Sequence, residues 1–282
     1  MMEVNKRKTK TDEAWERLYV RLEEDKLLTE VEKPVLRRLS LRWGTVAAAM
    51  VVGVTLAITF WMLPGQNNEP RNFLTQENRE KATLVKTLED GSVVYLTQES
   101  TLQYPEHFAT DKREVNLQGE AFFDIAKKPE QAFLIETEKV RVEVLGTAFD
   151  VRSKESIPFS LSVRRGNVKV SLKEGGQSMY VGAGETVTLQ NSGLLLSATK
   201  HPGYFDRYIQ NIRFKDECLE DVLRVINRES SGWQIETASP TLGKRRLTVD
   251  FSNNSPESVA ELISWTFNLK CTRQGNKLIL SE

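Results

Sequence analysis

Residues 43–63, WGTVAAAMVVGVTLAITFWML, carry no charged side chain, and the next charge is Glu69. As a helix rising about 1.5 Å per residue, the run would be about 31 Å long, matching a hydrocarbon core of about 30 Å. Trp43 and Trp61 stand near its two ends, where amphipathic rings favour the headgroup layer. Pro64-Gly65 stops the helix just outside. The run is therefore expected to cross a membrane once. A buried core helix would need partner elements on both flanks, and the flanks do not look like one such domain.

Basic residues set the orientation. Lys33, Arg37, Arg38 and Arg42 precede the run closely, whereas Arg71 is the one basic residue within fifteen positions after it. The positive-inside rule places the N-terminus in the cytoplasm and everything after residue 63 outside it. A cleaved signal peptide is not expected, because 42 residues precede the run and no small-residue cleavage site follows Leu63.

Lysine plus arginine balance aspartate plus glutamate at 39 each, so nothing suggests a nucleic-acid surface. No metal, nucleophile or phosphate-loop motif occurs, and neither a cofactor nor a metal is expected. Cys218 and Cys271 face an oxidising compartment, with two separate packed thiols the default and a bridge the rival. His107 is expected to cap or pack. Glu120, Asp124 and Glu136 are ordinary strand carboxylates rather than a glycosidase set. Phe122 is paired with Phe123, one in the core and one a cover residue.

The inner segment, 1–42, contains one amphipathic stripe. Trp15, Leu18, Tyr19 and Leu22 fall at i, i+3, i+4 and i+7. So short a segment cannot close a core alone, and the stripe is expected to dock on a cytoplasmic protein, the rival readings being that it lies on the membrane surface or pairs with its own copy. Residues 64–80 are polar with two prolines and read as a linker. Residues 81–197 carry short alternating strands separated by turn residues, which predicts a mainly β sandwich or jelly-roll-like domain. TLVKTL-EDG-SVVYL reads as a hairpin, Gly119 as a corner, and Val140, Val142 and Val144 as one buried face. Residues 198–210 read as a second linker. In 211–282 two β-α-β units predict a small α+β domain. Asp216 and Ser255 are its expected helix caps, and Val259, Leu262, Ile263 and Thr266 its expected inward face. An open sheet edge near Trp233 suits strand addition from a partner.

The runs LEDGSVVYL (88–96), LQYPEHF (102–108), VNLQGEAFFDI (115–125), VEVLGTAFDV (142–151) and VRRGNVKV (163–170) resemble the FecR family of membrane-anchored anti-sigma factors. Residues 211–282 are similar to the short N-terminal domain of secretins and TonB-dependent transducers. The inner segment resembles the family loosely and is short, and Gln98 stands where asparagine is usual. The resemblance implies a chain in the inner membrane. Its residues Trp15, Leu18, Tyr19 and Leu22 would hold an extracytoplasmic-function sigma factor. Its outer part would sense the signalling domain of a TonB-dependent outer-membrane receptor. The signal would cross by the single helix or by cutting the chain, which marks Gly146-Thr147 as a candidate self-cleavage site; the other reading of that pair is a tight turn with a strand threonine behind it. The rival readings are a tethered enzyme, for which no catalytic set is present, and a membrane-anchored glycan- or protein-binding structural protein, which leaves the stripe idle.

Overall fold

A computed structural model of the chain describes residues 72–191, 193–199, 201–230, 232–252 and 254–282, together with Arg17, Val20 and Gly53. The chain divides into two units, Met1–Asn67 and Asn68–Glu282. The expected stripe Trp15, Leu18, Tyr19, Leu22 and the apolar run, Gly53 apart, lie outside the described residues. Among the described residues no helix is long and apolar enough to cross a membrane.

The second unit is built around β5 (Lys112–Asp124), a thirteen-residue strand shared by two sheets. Its first half pairs with β4 (Ser100–Pro105) and β6 (Ala132–Glu136). Its second half pairs with β3 (Val93–Leu96) and β8 (Ala148–Ser153). The change of partners falls at Gly119, whose φ is +109°. A Cβ there would also lie 2.7 Å from Ser100 Cα. Positive φ and close backbone approach both demand glycine.

One sheet adds β1 (Phe73–Asn78), β7 (Val140–Val144), β10 (Asn167–Leu172) and β11 (Ser178–Gly182). The other adds β2 (Thr83–Thr87), β9 (Ser160–Arg165), β12 (Glu185–Gln190) and β13 (Gly193–Ala198). The period-two pattern of each strand turns one row inward. Val115, Phe133, Val142 and Val170 of the first sheet meet Phe123, Phe149, Leu161 and Val187 of the second in one core.

A further layer covers the outer face of the second sheet. β14 (Asn211–Cys218) lies parallel to β2 and antiparallel to β16 (Arg246–Ser252), so it extends the sandwich itself. Helix α1 (Leu219–Glu229), the short α2 (Pro240–Gly243) and α3 (Pro256–Phe267) pack with a three-stranded sheet of β15 (Gln234–Thr237), β18 (Lys277–Ser281) and β17 (Lys270–Gln274). Ser255 caps α3 by accepting from Ser258 N, with Pro256 in the first turn, as expected. Val85, Val93, Tyr95 and Phe122 join Phe205, Tyr208, Leu219 and Val222 in a second core.

Several expectations need correction. Residues 73–78 of the expected linker form β1, registered antiparallel on β4 from Phe73↔Pro105 to Asn78↔Ser100. The stretch 198–210 is no free linker, because residues Pro202–Tyr208 form a 3-10 helix with Phe205 and Tyr208 buried. The β part and the α+β part share one unit rather than standing apart as 81–197 and 211–282. Asp216 does not cap α1. It sits at φ +53° in a register shift of β14, and Cys218 takes the N-cap position without a side-chain bond. Thr266 is exposed, and Ser264 is buried on that helix instead. Phe122 is no cover residue, since it fills the second core as Phe123 fills the first.

Candidate functional site: a buried charged junction

Where the 3-10 helix crosses the sandwich, charged groups are packed inside. β8 alternates: Phe149 and Val151 enter the first core, so Asp150 and Arg152 face the second layer. β5 lies beside it in the register Glu120↔Arg152 and Phe122↔Asp150. The 3-10 spacing sets Phe205 and Tyr208 on the buried side, with Tyr204 and Arg207 a turn apart over the sheet. Phe122 stacks on Tyr208 at 5.5 Å between ring centroids and also meets Phe205 and Tyr95.

Asp150 is fully buried. Its Oδ2 accepts from Tyr204 Oη at 3.1 Å and Tyr208 Oη at 3.2 Å, while Oδ1 has no hydrogen-bond partner. Tyr208 Oη also lies 2.8 Å from Glu120 Oε1, and Arg207 donates to Tyr208 Oη at 2.6 Å. Arg152 and Arg207 both pair with Glu120. The Arg207 guanidinium lies 4.5 Å from the Tyr204 ring centroid and 4.6 Å from that of Tyr208. Burial pushes Asp150 from its ordinary 3.8 up to about 6, against the opposing pull of Arg152 and Arg207. Burial first, and then the Asp150 charge, raises Tyr204 to about 12, and Tyr208 is raised by the same causes.

Two more ion contacts tie the added layer to the sandwich. Arg228 of α1 reaches Asp124 Oδ2 at 2.5 Å, while Arg165 holds Oδ1 at 2.9 Å. Lys86 of β2 donates to Glu217 of β14 at 2.6 Å, and burial raises the pKa of that carboxyl despite Lys86.

Gly146 and Thr147 form the turn between β7 and β8. A Cβ on Gly146 would lie 2.5 Å from Lys127 Cα, which explains the glycine. Thr147 is buried, its carbonyl accepts from Ile125 N at 2.9 Å, and its Oγ1 has no hydrogen-bond partner. No base therefore contacts the hydroxyl, and neither residue has a positive φ. The other singled-out groups have ordinary partners. His107 Nδ1 meets Glu89 at 2.9 Å on the surface, and Glu136 pairs with Arg141 and Lys173. Cys218 and Cys271 are free thiols in different sheets. Among the described residues no group of His, Cys, Asp and Glu could hold a metal ion. The guanidinium of Arg273, on the exposed strand β17, lies 4.4 Å from the Trp233 ring centroid.

Asp150, Tyr204, Arg207 and Tyr208 were not anticipated. Two signals were available: an aspartate between two core residues of β8, and three aromatics within five positions, YFDRY, in a stretch resembling a linker.

Residues 75–169 match the family model described as FecR protein. Two crystal structures of a candidate anti-sigma factor from Parabacteroides distasonis, at 2.50 and 1.65 Å resolution, are similar to this chain at 23% and 22% identity. Each comparison covers 74% of this chain and 99% of that one, with a TM-score of 0.46, too low to establish a common fold. No curated protein matches the chain.

Proposed function

We propose, from the FecR-family domain that the chain carries over residues 75–169, that this protein is a single-pass anti-sigma factor of the inner membrane. Residues 1–42 hold an extracytoplasmic-function sigma factor in the cytoplasm through Trp15, Leu18, Tyr19 and Leu22. Residues 43–63 span the membrane. The outer unit answers the signalling domain of a TonB-dependent receptor, which adds a strand to an open edge such as β17. The family match carries this reading, and the uncharged run with its basic inner flank supports it.

The junction supplies the coupling between the receptor-facing layer and the sandwich. Docking on α1 or β17 loads Arg228, Arg207 and Tyr208, whose partners Asp124, Glu120 and Asp150 belong to β5 and β8. Asp124 is the residue before Ile125, whose N–H holds the Thr147 carbonyl. Displacing Arg228 therefore loosens the Gly146-Thr147 turn. Self-cleavage there transfers the Gly146 acyl group from the Thr147 nitrogen to Oγ1. The hydroxyl proton passes to nitrogen, and water then hydrolyses the ester. The unpartnered Oγ1 suits a hydroxyl waiting for a base brought by rearrangement.

The deciding experiment expresses the full chain and isolates it from membranes. A sigma factor should co-purify with it and be lost on Trp15→Ala plus Leu22→Ala. Absence of any sigma factor from the wild-type preparation would defeat the reading.

A further inference from the structure

One row of side chains crosses the face where the two cores meet. Tyr95 of β3, Phe122 of β5, Asp150 of β8 and Ser162 of β9 stand in register on four adjacent strands. Asp150 is the member of the row that can carry a charge at neutral pH, and the 3-10 helix closes over it with Tyr204 and Tyr208. The other charged groups are spent on one another. Glu120 of β5 takes up Arg152 of β8 and Arg207 of the 3-10 helix, and the Arg207 guanidinium stays 3.9 Å from Asp150 Oδ2. Asp124, two positions beyond Phe122 on β5, is held by Arg165 and by Arg228 of α1. Asp206 and His201 of the 3-10 segment are exposed, and His201 makes no side-chain cap bond. Among the described residues no cation donates a hydrogen bond to Asp150.

The hydroxyls around Asp150 lack one proton. Tyr208 Oη lies 2.8 Å from Glu120 Oε1 and 3.2 Å from Asp150 Oδ2, and it has a single proton for the two carboxylates. Tyr204 gives its own proton to Asp150 Oδ2 and accepts from Arg152 and Arg207. With both carboxylates ionised, one contact of Tyr208 sets lone pairs against each other, and Asp150 Oδ1 has no donor at all. A proton on Asp150 Oδ2 donates to Tyr208 Oη and leaves the tyrosine proton to Glu120. It also removes a charge from an interior site, where an unpaired charge is costly. The hydrogen bonding of the closed junction is complete only with that added proton.

We propose that the junction is a proton-operated latch: Asp150 takes up one proton as the 3-10 helix closes on the sandwich, so acid holds the two layers together and rising pH lets the helix lift. The burial of Asp150 sets the range. Lifting the helix admits water and returns the carboxyl to its ordinary 3.8, whereas closed it titrates at about 6. Below 3.8 both forms hold the proton and pH has no effect. Between 3.8 and 6 opening releases the proton and grows easier as pH rises, and above 6 the gain is complete. Between pH 5 and 8 opening becomes about tenfold more favourable. The latch sits where β5 and β8 meet the added layer, so an acidic exterior damps the response of the outer unit. That consequence rests on the proposed function, whereas the proton uptake does not.

The test is hydrogen exchange of the full chain in detergent at pH 5 and pH 8, read by mass spectrometry, each rate divided by that of an unstructured chain at the same pH. Peptides covering residues 203–209 should open about tenfold more readily at pH 8. They should exchange ahead of β7 at both values, which marks a lifting of the helix rather than unfolding of the whole unit. Asp150→Asn should remove the difference between the two pH values. Asp150→Ser, which also deletes the carboxyl, takes its place if asparagine unfolds the chain. Two variants address the other proton sites: His201→Gln and Glu217→Gln should both keep the tenfold change. Equal opening at pH 5 and 8 in the wild type, or exchange of the helix only together with β7, would overturn the proposal. So would a change that persists without the Asp150 carboxyl, or one that vanishes with His201→Gln or Glu217→Gln. No sigma factor enters the measurement, so its result is independent of whether one co-purifies.

Discussion

Replacing Asp150 by asparagine should stabilise the outer unit at neutral pH and do nothing near pH 4. Asparagine keeps the oxygen that accepts from Tyr204 and Tyr208 and exchanges the unpartnered Oδ1 for an unpartnered amide. What it removes is the cost of holding a charge in the interior. That cost follows from the rise of the carboxyl from 3.8 to about 6. About two units at about 1.36 kcal/mol each give about 3 kcal/mol. The sign is opposite to that of an ordinary salt-bridged aspartate. Below 3.8 the group is protonated in both states and costs nothing. Between 3.8 and 6 the folded chain holds a proton that the unfolded chain has released, so stability falls as pH rises. Above 6 the full penalty is present. For a folded unit of this size 1 kcal/mol shifts the melting temperature by roughly 2–4 °C. Thermal melts by circular dichroism, run in detergent from pH 4 to 8, should show the asparagine variant melting roughly 6–12 °C higher above pH 7 and level with wild type near pH 4. A variant less stable at pH 7.5, or one whose advantage is the same at pH 4, would refute the reasoning and mean that the charge is compensated.

Phe122→Ala should cost about 3–5 kcal/mol in urea denaturation, because the ring touches Tyr95, Phe205 and Tyr208; a loss below about 1 kcal/mol would show that the second core is not packed around it. Thr147→Val should leave stability unchanged or raise it by about 1–2 kcal/mol, since it deletes a buried hydroxyl that has no partner. The same variant should abolish any cleaved fragment seen by mass spectrometry of the purified chain, and persistence of that fragment would place the cut elsewhere. Arg228→Ala, which leaves Asp124 with Arg165 alone, should speed amide exchange in α1 and at Ile125 while β7 is unaffected; unchanged exchange would sever the path from α1 to the Gly146-Thr147 turn.

Local chemistry determined much in advance. The uncharged run and its basic flank, Gly53 apart, lie outside the described residues, and the anchor they predict stays part of the proposed function. Period-two alternation placed Val140, Val142 and Val144 on a buried face, and Asp90-Gly91 closed the β2–β3 hairpin, because these preferences belong to residues two to four positions apart. Ser255-Pro256 marked the start of α3 for the same reason. Which surfaces the two halves of the outer unit share was decided only by the tertiary fold. Phe122 beside Phe123, and Val93 with Tyr95 beside Val94 with Leu96, are strands buried on both faces, a pattern that names no partner. The partner is YFDRY, about eighty positions further along, held over Asp150 between β13 and β14, two strands of the second sheet. A buried charge costs free energy unless distant groups arrive to hold it, so its place depends on contacts between residues remote in the chain, which no local pattern encodes.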